Sequence, residues 1–61
     1  MNLFSFLHFL LQIGEHMTGL VDSAAAIFSR LGYPQDQIEQ VEQYIKGAIK
    51  IFLAIVKNIL A

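Results

Sequence analysis

Leu31-Gly32-Tyr33-Pro34-Gln35-Asp36 stands almost at the middle of a 61-residue chain and separates two halves that are both apolar-periodic. Glycine takes the left-handed conformation that ends a helix, and Arg30 suits the partly negative last turn before it. Pro34 lacks an N–H that the first helical position does not need, while Asp36 and Glu39 place negative charge at the positive end of the helix that follows. A start with Asp36 as N-cap and Glu39 closing a capping box is the other option. The stretch predicts an all-α fold, a two-helix antiparallel hairpin. Helix 1 covers about 2–31, the turn 32–34 and helix 2 about 34–60, in a single unit 1–61 expected to oligomerise.

Working outward from the turn, apolar residues recur in alternating three- and four-residue steps, the spacing of two packed helices. On the N-terminal side the seam reads Leu3, Phe6, Leu10, Ile13, Met17, Leu20, Ala24, Ile27 and Leu31; on the C-terminal side, Ile38, Val41, Ile45, Ala48, Phe52, Ile55 and Ile59. Reflected through the turn these meet as Ile27/Ile38, Ala24/Val41, Leu20/Ile45, Met17/Ala48, Ile13/Phe52, Leu10/Ile55 and Phe6/Ile59. Several layers set a small residue against a larger one, as close packing wants.

The seam does not exhaust the apolar residues. Beside it lie Phe4, Leu7, Leu11, Val21, Ala25 and Phe28 on helix 1 and Tyr44, Ile49, Ile51, Leu53, Val56 and Leu60 on helix 2, so each apolar face is wider than a coiled-coil stripe. The chain is 56% hydrophobic and 15% charged, with mean hydropathy +0.56. Two helices have no interior that covers both faces of either one, and no cysteine is present to staple them. Something outside the hairpin must cover Phe4, Leu7, Leu11, Val21, Phe28, Ile49, Leu53, Val56 and Leu60: copies of itself, a second small helical protein, or lipid.

Composition removes several classes of function. A net charge of −1 with only Arg30, Lys46, Lys50 and Lys57 as cations speaks against nucleic-acid binding and against a cationic lytic peptide. Met1 to Gly14 is apolar but lacks a basic n-region and runs into Glu15-His16, so it reads as mature helix rather than a cleaved signal. Neither apolar block is an uninterrupted span of about 20 residues. Gly14, Gly19, Gly47 and Ala24-Ala25-Ala26 read as sites of close helix approach.

A polar stripe survives on each helix: Ser5, His8, Gln12, Glu15, Asp22 and Ser29 on the first, Glu39, Gln43, Lys46, Lys50 and Lys57 on the second. They are either the solvated faces of a bundle or, in a ring of hairpins within lipid, the lining of a water-filled channel, with Ser5, His8, Gln12, Glu15, Asp22, Lys46, Lys50 and Lys57 as lining candidates. His8, Glu15 and His16 diverge on one helix and make no compact metal set. No nucleophile elbow, P-loop or zinc-protease motif is present, so no enzyme activity and no cofactor are expected.

A short chain beginning at its own Met1, without cysteine, slightly acidic and built of amphipathic helices, resembles the small α-helical porin and porin-like polypeptides of the corynebacterial outer (myco)membrane. The resemblance is one of architecture over the whole chain and rests on no diagnostic motif. It implies an oligomeric channel and mycolic acylation on serine, for which Ser23 in Val21-Asp22-Ser23-Ala24-Ala25 is the first candidate, ahead of Ser5, Ser29 and Thr18. Secreted amphipathic peptides of the phenol-soluble modulin type are a second, equally general likeness. The expectation is a non-enzymatic, self-assembling hairpin associated with a membrane, in the outer (myco)membrane or secreted. The alternative is a soluble homodimeric four-helix bundle or accessory subunit, which would be cytoplasmic.

Overall fold

The computed structural model describes residues 2–61; Met1, the first residue of the apolar block, lies outside them. Within them are two helices, α1 (Leu3–Arg30) and α2 (Gln35–Leu60). Asn2 caps α1, its side-chain oxygen accepting the Ser5 N–H at 2.8 Å, which satisfies one of the donors a helix start leaves unpaired. The turn closes α1 with a Schellman motif: Gly32 N–H donates to the Ser29 carbonyl and Tyr33 N–H to the Phe28 carbonyl. Gly32 adopts φ +91°, open to glycine and costly to other residues. Phe28 and Tyr33 supply the apolar contact that accompanies this motif, edge to face at 5.3 Å. Ser29 Oγ then donates to Gln35 Oε1 across the turn at 3.0 Å.

The start of α2 differs in detail from both expected starts. Pro34 is the N-cap, extended at φ −57° and ψ 129°, and neither the first helical residue nor a neighbour of an Asp36 cap. Its carbonyl accepts the first helical bond, from Ile38 N–H. Pro34 therefore belongs to the turn, and the point of reflection between the helices moves to Tyr33–Pro34. The observed neighbours follow that shift: Gly14 lies at Leu53 and Asp22 at Lys46, so the helices run antiparallel. Ile13/Phe52 and the other expected pairs are out of register.

The seam itself is the larger correction. The side chains in the contact are Leu7, Leu11, Val21 and Ala25 with Ile49, Leu53, Val56 and Leu60, all buried or half-buried. Val56 is 3% exposed and Leu7 and Ile49 are 8% exposed. Of the expected seam only Leu10 and Ile38 are half-buried. Phe6, Ile13, Met17, Leu20, Ala24 and Ile27 on α1, and Val41, Ile45, Ala48, Phe52, Ile55 and Ile59 on α2, are exposed. Each helix carries two adjacent heptad stripes, and the hairpin closes on the second. Gly14 lies on the buried stripe, where Leu53 occupies the room a side chain there would take. Gly19 and Gly47 do not share that role, since a Cβ at either meets nothing within 4 Å.

Candidate functional site

Because the contact uses one stripe, the other is left free, and its placement follows from the helical repeat. At 3.6 residues per turn, Phe6, Ile13, Met17, Leu20 and Ala24 sit about a quarter-turn from the contact stripe of α1, and Val41, Ala48, Phe52 and Ile59 about a quarter-turn from that of α2. The helices are antiparallel, so both quarter-turns lead to the same side. A groove of about 310 Å³ on that side is lined jointly by Val21, Ala24, Ala25 and Phe28 of α1 and Ile38, Val41 and Ile45 of α2, with Tyr33 at its turn end. The molecule is a plate 45 × 17 × 10 Å, apolar on one broad face.

The other broad face is polar. His8, Gln12, Glu15 and Asp22 of α1 lie there with Lys46, Lys50 and Lys57 of α2, so most lining candidates share one surface. Ser5 and Ser23 sit at the outer edge of α1, both exposed. A shallow groove of about 430 Å³ runs along this face between Thr18, Lys46, Ile49, Lys50, Leu53 and Lys57. Lys46 Nζ bridges to the Asp22 carboxylate across the helices and lies 3.7 Å from Glu42 on its own helix. The hydrogen bond with Lys46 holds the Asp22 carboxyl below the usual carboxylate range, and the same bond pushes the Lys46 ammonium up.

Two of the expected external-contact residues are exposed, at the margins of the apolar face. Phe4 is on the polar side, its ring edge to face with His8 at 4.6 Å, and Phe28 packs on Tyr33 at the turn. The rest of that group, Leu7, Leu11, Val21, Ile49, Leu53, Val56 and Leu60, forms the helix contact instead. Asn2 and the Asp22–Lys46 pairing escaped the sequence reading. Asn2 was open to it, as a good capping residue at the start of an apolar run; the pairing depends on register and was not.

Among the described residues no three His, Asp or Glu side chains gather closely enough to hold a metal ion. No described helix is long and apolar enough to cross a membrane. The apolar surface also runs beyond the broad face, round the outer edge of α2, where Tyr44 is 82% and Ile51 64% exposed. No protein family, curated protein or solved structure matches the chain.

Proposed function

We propose that the chain is a non-enzymatic, self-assembling amphipathic hairpin that works at a membrane, laying its apolar broad face on lipid. The observation that carries this reading is the continuity of the apolar surface from Phe6, Met17 and Leu20 across to Phe52 and Ile55 and on round α2 to Ile51 and Tyr44. A flat protein partner covers the broad face but not the outer edge of α2, whereas a fluid acyl phase covers both as the helix sinks into it. Lying flat, the plate buries this surface without carrying Lys46, Lys50 or Lys57 across the bilayer, since they point the opposite way. The channel form would stand the plates upright in a ring with the lysine face inward; no described helix is long and apolar enough to cross a membrane, and the surface favours the flat plate.

Flotation with neutral phosphatidylcholine vesicles tests the reading. Leu20→Asp and Ile55→Asp, each at an exposed position, should keep helicity and lower vesicle partitioning by about tenfold or more, because each removes a side chain worth ~1.5–3 kcal/mol on burial. Ser23→Asp, at the polar edge, should change little. Wild-type protein that stays in the aqueous fraction sinks the proposal. Discrete conductance steps across a planar bilayer would favour the upright ring over the flat plate.

A further inference from the structure

We infer that His16 makes attachment to lipid selective for anionic phospholipid and stronger in mild acid, its imidazolium meeting the headgroup phosphates when the plate lies on its apolar face. The inference rests on the reading of that face as lipid-covered, and it names the class of lipid and the residue that selects it.

Position is the first support. On α1 the residues one turn away from His16 are Gln12, Ile13, Gly19 and Leu20. Ile13 and Leu20 belong to the apolar broad face and are 38% and 56% exposed, so the imidazole stands at the rim of that face. As Ile13 and Leu20 sink into acyl chains, the rim comes to the depth of the headgroups. His16 is itself exposed, and the helix beside it is open, since a Cβ on Gly19 meets nothing within 4 Å.

The surroundings leave this group free to answer a phosphate. His16 lies about half a turn from the stripe of α1 that packs on α2, so no group of α2 faces it. None of its four neighbours on α1 is charged. Adjacent Glu15 is rotated by more than a quarter-turn, onto the polar face with His8 and Asp22. The permanent cations are elsewhere, Lys46, Lys50 and Lys57 on the polar face and Arg30 at the turn.

Charge supplies the acid dependence. With both histidines neutral the chain carries −1, and an anionic surface repels it; protonating the two turns the net charge to +1. Histidine as a residue type changes charge between about pH 5 and 8. One cation held near an anionic surface raises partitioning about fivefold, and the effect fades within a Debye length. His16 at headgroup depth gains it in full, whereas His8, on the opposite broad face, gains less.

Flotation at about pH 5.5 and about pH 7.5 tests this, with vesicles of phosphatidylcholine alone or in equal parts with phosphatidylglycerol, and with helicity checked by circular dichroism. Acidification should raise wild-type partitioning about fivefold or more on the anionic vesicles and leave it unchanged on the neutral ones. His16→Gln should lose most of the rise and His8→Gln little of it. His16→Lys should bind the anionic vesicles at the higher pH as the wild type does at the lower. A full rise in His16→Gln, or an equal rise on neutral vesicles, overturns the inference. Flotation with neutral vesicles and no acid response on anionic ones overturns it and leaves the membrane reading standing; no flotation with either vesicle at either pH removes both.

Discussion

Leu53 fills the place of a side chain at position 14, its Cγ 3.1 Å from where a Cβ on Gly14 would stand. It is the closest approach of the two helices among the glycines, and it lies on the buried stripe of each. Gly14→Ala is therefore expected to gain less than the other two glycine substitutions, because Leu53 must move aside and offsets part of the gain in helix propensity. Gly19→Ala and Gly47→Ala, in open space, should gain roughly 0.5–1 kcal/mol. Thermal melts followed at 222 nm compare the three, and a Gly14→Ala gain as large as the other two would mean the close approach is absent.

Gly32 sits at φ +91° in the turn. Gly32→Ala should cost about 1–2 kcal/mol, the penalty of left-handed backbone for a residue with a Cβ. Gly32→Asn should cost less, since asparagine tolerates that region. Urea titration measures both; equal and negligible losses would show that the turn takes another form.

Adjacent positions on α2 should answer oppositely to the same change. Val56 is 3% exposed and Ile55 56% exposed. Val56→Ala should cost on the order of 1–2 kcal/mol, at the low end for a core deletion because the contact is thin. Ile55→Ala should leave the hairpin's stability unchanged once oligomer and lipid are absent. The seam read from the sequence, in which Ile55 is the buried residue of the two, predicts the reverse order.

The Asp22–Lys46 pair sets a pH window. The Asp22 pKa is lowered in the folded state, so its contribution is present above the unfolded carboxylate value near ~3.9 and is lost as pH falls through the folded value. The Lys46 pKa is raised, so its contribution is present below the unfolded value near ~10.4 and is lost as pH rises through the folded one. Between those limits the stability difference between wild type and Asp22→Asn should be constant and small, as for an exposed pair, and salt should shrink it. Melts from pH 2 to 8 check this; a difference that does not begin to shrink below the ordinary carboxylate range would locate it outside the ion pair.

Much of this molecule was legible in its residues for local reasons. Gly32 and Pro34 mark the turn because backbone conformation there depends on one residue at a time, and the observed helices begin and end within about one residue of the expected limits. The partner of each stripe was not legible. Leu20 and Val21, or Ile55 and Val56, are neighbours of equal apolarity, and periodicity alone does not rank them. The observed register reflects about Tyr33–Pro34 rather than one residue earlier, so Asp22 meets Lys46 and Gly14 meets Leu53.

By itself the sequence determined that two helices form, where they turn, and that their apolar surface exceeds what two helices can hide, because propensity, capping and composition are local or additive. Only the tertiary structure decided which half of that surface is spent inside and that the remainder of both helices faces one way. That outcome depends on contacts between residues distant in sequence, Gly14 with Leu53 and Asp22 with Lys46, and on the antiparallel turn that carries both free stripes to the same side of the plate.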